Sequence, residues 1–157
     1  MKHLVLSSIA VAALLLSGCS KKTPEADTTS TSGADRLAAL ASQIQSEVGT
    51  VYFDFDKFNI RADQQGTINN NAALFNQAGA ESLTVKVEGN CDEWGSDEYN
   101  YALGLKRATA AKDALVAQGV NESRISVVSY GESNMACTEH SKECDAQNRR
   151  DEFKVGF

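Results

Sequence analysis

The chain has 157 residues and a formal net charge of −6 at pH 7, enough for one domain with a tether. That acidic balance excludes a nucleic-acid surface, which needs clustered Lys and Arg against phosphate. Its four cysteines and two histidines include no C-x-x-C knuckle, so a zinc site is not expected.

The N-terminus reads as an export signal. Lys2 and His3 precede a run over residues 4–16 that is almost wholly apolar, and small residues then lead through Ser17 and Gly18 to Cys19. The run has the length of a signal h-region and is too short to span a bilayer comfortably. The ending resembles a bacterial lipobox. The resemblance implies cleavage of the signal over 1–18, diacylglycerol on the Cys19 sulfur and an acyl chain on the new N-terminus, a combination that anchors stably. Ser20 follows the cysteine, where an Asp would imply retention at the inner membrane, so the outer membrane is the expected destination.

Residues 20–33 are rich in Ser, Thr and charge and hold the only proline, Pro24, so they predict a flexible tether reaching about 45–50 Å when extended. Leu37, Leu40, Ala41, Ile44 and Val48 fall at helical spacing and predict a short amphipathic helix over 34–48, either packed on the domain or extending the tether. From residue 49 strands and helices alternate. Val51, Phe53 and Phe55 predict a strand, residues 61–79 a helix with Ile68, Ala72 and Phe75 inward, and Leu83, Val85 and Val87 a second strand. A polar loop over 90–96 precedes a long helix from about Asp97 to Gln118, with Leu105, Ala108, Ala111 and Leu115 expected on its buried face and Gly119 ending it. Residues 125–130 predict a third strand, 131–147 a long polar loop, and Phe153, Val155 and Phe157 a last strand. The order βαβαβ–loop–β predicts an α/β domain over 49–157: a four-stranded mixed sheet with helices packed on one face.

Four ordered segments, VYFDFDKFNIRAD (51–63), VEGNCDEWGSDEYNYALGLKRA (87–108), VSYGE (128–132) and NRR (148–150), resemble the OmpA C-terminal domain family in its branch of peptidoglycan-associated lipoproteins. The resemblance runs in register over 49–157, and the lipobox and tether also fit. It implies non-covalent binding of the peptidoglycan stem peptide, chiefly its diaminopimelate. It further implies partnership with TolB and the Tol complex during outer-membrane constriction at cell division, by a monomer with no cofactor and no enzymatic activity. Two positions depart from the pattern. Most relatives carry His where this chain has Asn90, and many carry Arg where it has Trp94. Asn90 keeps hydrogen-bonding capacity, whereas Trp94 removes a charge and adds a flat apolar face.

Diaminopimelate ends in an ammonium and a carboxylate on one carbon, so its receptor needs a fixed anion and a fixed cation a few ångströms apart. Asp92, in the loop after the second strand, suits the ammonium, and Arg107 suits the carboxylate as a planar fork. The resemblance carries the family's pair onto these two positions, with Asp54, Phe55 and Asp56 at the end of the first strand and Asn100 and Arg149 near the same pocket. Bland readings stand beside these: Arg107 as a surface ion pair with Asp113 or Glu98, Phe55 as core, and Asn100 as a structural side chain. Alanine at Asp92 or Arg107 is expected to remove binding and leave the fold intact. Catalysis has no Ser-His or Cys-His constellation to support it, and His140 lies in a polar loop. Of the three pairings open to Cys91, Cys137 and Cys144, a Cys137–Cys144 disulfide with Cys91 free is expected, because it closes a short polar segment in an oxidising compartment.

Overall fold

A computed structural model describes residues 32–157. The signal over 1–18, the lipidation site Cys19 and nearly all of the tether lie outside the described residues.

The helices are α1 (Gly33–Glu47), α2 (Gln65–Asn76), α3 (Asp97–Ala117) and α4 (Lys142–Asn148), and the strands are β1 (Val51–Tyr52), β2 (Thr84–Asn90), β3 (Ile125–Gly131) and β4 (Arg150–Gly156). The sheet order is β1-β4-β2-β3, with β2 and β3 parallel and β4 antiparallel to both β1 and β2. This is the expected four-stranded mixed α/β sheet. One cluster unites Ile44 of α1, Ile68 and Phe75 of α2, Ala111 and Leu115 of α3, and Val85, Val87, Ile125 and Phe153 of the sheet. These three helices therefore share one face of the sheet. A buried phenylalanine such as Phe75 is worth about 3–5 kcal/mol against alanine. The alternate positions face outward and carry a charged lattice, with Lys86 2.7 Å from Glu88 and Arg150 2.6 Å from Glu152.

Helix α1 starts at a capping box in which Ser32 and Asp35 satisfy each other's backbone N–H groups. It packs on the domain through Ala41 and Ile44. Gln45 also donates to the Phe153 carbonyl at 3.0 Å and accepts from the Val155 N–H at 2.8 Å. Its amide thus occupies the edge of β4 left open because β1 has only two residues.

Three expectations need correction. The first strand ends early: after Tyr52 only the Phe53 N–H still bonds across, to the Arg149 carbonyl. The chain then turns at Asp56, whose φ is +56°, which leaves Phe55 59 % exposed and not core. On α3, Leu105 is exposed, and the inward stripe runs through Asn100, Leu103, Gly104, Arg107, Ala108, Ala111 and Leu115. The expected polar loop over 131–147 ends in α4, capped by the Ser141 hydroxyl, and β4 begins at Arg150 rather than near Phe153.

Candidate ligand-binding site

The site lies where β2 ends and α3 begins. Gly89 of β2 and Gly104 of α3 meet so closely that a Cβ on Gly89 would sit 1.9 Å from the Gly104 carbonyl oxygen. This backbone contact seats α3 against the strand and lowers Arg107, one turn further on, beneath the loop. At Gly89/Asn90 the pairing with β3 slips, which frees residues 91–96 to form a loop. Asn90 is fully buried there. Its amide donates to the Glu88 carbonyl at 2.9 Å, and its oxygen accepts from Asn134 at 3.0 Å. Gly95 sits at φ +127°, a conformation available to glycine, and Ser96 then caps α3 through the Tyr99 N–H.

Arg107 is 0 % exposed. Its Nε donates to the Lys57 carbonyl at 2.8 Å, Nη1 to the Asn90 carbonyl at 2.8 Å and to Cys91 Sγ at 3.4 Å, and Nη2 to the Asp54 carbonyl at 3.2 Å. One N–H on Nη2 is left without a partner among the described residues. The ring of Phe53 lies 5.2 Å from the guanidinium carbon. The side chain is neither an exposed fork nor a surface partner of Asp113 or Glu98; it clamps the 54–57 turn to the end of β2. Burial lowers its pKa from the usual arginine range, while Asp151 and Asp92 oppose that shift.

Asp92 is also buried, and its Oδ2 accepts from Nη1 of Arg149 at 2.9 Å. Its other oxygen takes no hydrogen bond from the described residues, and the residue lines an open hollow of about 250 Å³ with Phe55, Asp56, Trp94, Tyr99 and Leu103. Tyr99 donates to Asp56 and so pins the turn over this hollow to α3, which raises the phenol's pKa. Thus Asp92, Phe55 and Asp56 share one hollow, and Arg149 reaches it by holding Asp92. Asp54, Asn100 and Arg107 do not line it. Asp54 offers its carbonyl to Arg107 and its carboxylate to Arg61, 3.4 Å away. Asn100 is structural: its side-chain amide donates to the Asp92 carbonyl and to Glu132, and its backbone carbonyl accepts from the Cys91 thiol.

Sequence reasoning missed Tyr99, Leu103, Lys142 and Asp145. The last two stand on α4, whose placement the polar segment did not reveal. Trp94, seen only as a departure, is 59 % exposed, and its indole N–H donates to Asp145 at 2.9 Å. Phe55 and Trp94 separate the first hollow from a second of about 400 Å³, also lined by Lys142, Asp145 and Arg149. Cys137 and Cys144 form a disulfide that ties α4 to the preceding loop, so neither is a free thiolate for metal. Cys91 is free and buried, and burial pushes its thiol up to about 11. A larger hollow of about 670 Å³ beside the first turn of α3 is lined by Asp97, Glu98, Tyr101 and Glu132 with no basic side chain, and does not include Asp92.

The model of the OmpA family matches residues 52–150. A peptidoglycan-associated lipoprotein of Mesorhizobium japonicum is 40 % identical over 144 residues, 89 % of this chain and 84 % of the relative. One from Pasteurella multocida is 44 % identical over 107 residues, 68 % of this chain and 70 % of the relative. Among solved structures, the peptidoglycan-associated lipoprotein from Burkholderia pseudomallei superposes with a TM-score of 0.64 at 34 % identity, covering 68 % of this chain and 89 % of that one. The C-terminal domain of Helicobacter pylori MotB, 23 % identical with a TM-score of 0.63 over 70 % of this chain and 85 % of that one, shares the fold.

Proposed function

The chain belongs to the OmpA family, and on that premise we propose that it holds peptidoglycan non-covalently through the diaminopimelate of a stem peptide. It is a peptidoglycan-binding lipoprotein of the outer membrane, not an enzyme. The observation that carries the finer reading is the Asp92 carboxylate. It is buried and fixed by Arg149 on one oxygen, while the other oxygen is unpaired in an aromatic-walled hollow. Such a group accepts an ammonium strongly, because little water competes and no side chain must be ordered. Arg107 supplies positive charge beneath the same loop without lining the hollow, so its uncommitted Nη2 hydrogen meets the ligand carboxylate only once the 54–57 turn moves. Full engagement requires the Asp54 carbonyl, which shares that nitrogen, to give way.

We extend the reading to the flanking parts. Cys19 carries the lipid anchor, residues 20–33 span from membrane to domain, and the domain over 49–157 with its docked helix grips the wall. TolB and the Tol complex are the partners of this arrangement at division. The decisive measurement is sedimentation of the purified protein with sacculi, with and without free diaminopimelate. Binding that diaminopimelate displaces, and that Asp92→Asn loses by roughly thirtyfold or more, supports the site. Wild-type sedimentation by a folded Asp92→Asn protein places the ligand elsewhere.

A further inference from the structure

The second hollow has walls in common with the first, and its chemistry differs. Phe55 and Trp94 form the partition. Trp94 is held in place, since its N–H is committed to Asp145 at 2.9 Å. The same bond engages the Asp145 carboxylate, the only acid lining this hollow. Two cations also line it. Lys142 is exposed and forms no ion pair among the described residues. Arg149 spends Nε on the Phe53 carbonyl at 3.1 Å and Nη1 on Asp92 at 2.9 Å, which leaves Nη2 without a partner among them. The lining is mostly apolar, with positive charge at its rim.

We infer that this hollow is a second subsite for the same stem peptide, taking an acidic residue adjacent to diaminopimelate, with its methylenes against Phe55 and Trp94 and its carboxylate at Lys142 and Arg149. The inference rests on the diaminopimelate reading, because the shared Phe55–Trp94 wall places the two subsites side by side. A neighbouring residue is the natural occupant of a hollow continuous with the first. A carboxylate suits it because Lys142 and Nη2 of Arg149 have donors to spare, while the Trp94 N–H occupies one oxygen of Asp145. Arg149 then links the subsites: one nitrogen fixes the Asp92 carboxylate that takes the ammonium, and the other meets the neighbouring carboxylate. Trp94 thereby acts as a specificity residue, since its flat face forms the wall and its N–H keeps Asp145 from the ligand.

Trp94 is the only tryptophan in the chain, so its emission reports on the wall that the two hollows share. The purified full-length protein is titrated with free diaminopimelate, with a stem tripeptide carrying the acidic neighbour, and with the same tripeptide amidated at that carboxylate. The same three ligands then compete for sacculi. The tripeptide is expected to shift Trp94 emission and to compete about three- to tenfold better than diaminopimelate, the gain of one partly exposed ion pair with some apolar contact. Amidation and Lys142→Gln should each remove that gain, and Lys142→Gln should leave competition by free diaminopimelate unchanged. Equal competition by tripeptide and diaminopimelate overturns the subsite, as does a Lys142→Gln protein that keeps the full preference. If free diaminopimelate fails to compete while the tripeptide binds in a Lys142-dependent way, the diaminopimelate reading falls and the subsite stands. If neither ligand competes, both fall.

Discussion

Arg107→Ala is expected to damage the fold as well as binding. The guanidinium serves the carbonyls of Lys57, Asn90 and Asp54 at 2.8, 2.8 and 3.2 Å; the Asp54 carbonyl also accepts from the Lys57 N–H at 3.2 Å, so the Lys57 and Asn90 carbonyls are the two that depend on Arg107. A buried acceptor left unsatisfied costs about 1–3 kcal/mol, which applies in full to the Asn90 carbonyl and in part to that of Lys57 in the exposed turn, so the two together cost about 2–4 kcal/mol. A domain of this size has a total stability of only about 5–15 kcal/mol. With a urea slope of about 2 kcal/mol/M, the unfolding midpoint should fall by about 1–2 M. Asp92 behaves differently: its removal costs Arg149 one of two partners, and Arg149 retains the Phe53 carbonyl and partial solvent access. Asp92→Asn should therefore shift the midpoint by less than about 0.5 M while losing the ligand. The clamp thus changes what is expected of Arg107→Ala, whereas Asp92→Asn is expected to spare the fold. The assay is urea unfolding followed by circular dichroism, run on both variants beside wild type. An Arg107→Ala midpoint within about 0.5 M of wild type would refute the clamp and return Arg107 to a purely ligand-facing role.

Cys91, buried with its thiol pushed up to about 11, should resist iodoacetamide at pH 8 in the folded protein and react fully in urea; stoichiometric labelling without denaturant would sink this. Reducing the Cys137–Cys144 disulfide should cost about 2–2.5 kcal/mol and speed amide exchange in α4, and unchanged exchange there would mean that the bridge does not order the helix. Asp151 is 0 % exposed, neither of its carboxylate oxygens has a hydrogen-bond partner among the described residues, and burial raises its pKa well above the usual range against the opposing pull of Arg107. The folded state then holds the Asp151 proton more tightly than the unfolded chain. That contribution to stability is fully present below the ordinary carboxylate pKa and is lost as pH rises through the folded value. Asp151→Asn should accordingly raise Tm at pH 8, with a gain that shrinks toward pH 4; a gain independent of pH would show that Asp151 does not titrate this way.

The elements legible in the sequence are those whose buried residues are aliphatic or aromatic. Helix α2 shows Ile68, Ala72 and Phe75 at one spacing, and β2 shows Val85 and Val87 at another, so type and position follow directly. Helix α4 buries Cys144 and Asn148, and the Asn148 amide bonds the Ala136 and Cys137 N–H groups and the Cys137 carbonyl instead of packing in a core. A hydrophobic pattern has nothing to register there. The start of β4 is hidden for the same reason, because Arg150 and Asp151 are polar and buried.

The same cause explains both the misplaced face of α3 and the misread role of Arg107. Counting only apolar residues centres the inward stripe near Leu105. The real stripe includes Asn100 and Arg107, two polar side chains buried because backbone carbonyls and a neighbouring loop await them. Motif resemblance drew attention to these positions, as to Asp92 and Arg149, without showing what each side chain touches. That depends on where α3 is seated, which the Gly89–Gly104 contact decides. A Cβ at Gly104 would lie 2.3 Å from the Ser129 hydroxyl and 3.0 Å from the Gly89 carbonyl oxygen, so neither glycine can gain a side chain without lifting the helix. Lifting it would draw Arg107 away from the carbonyls of residues 54, 57 and 90 together. The 91–96 loop, the 54–57 turn and the arginine beneath them are thus positioned by two glycines that carry no side-chain chemistry themselves.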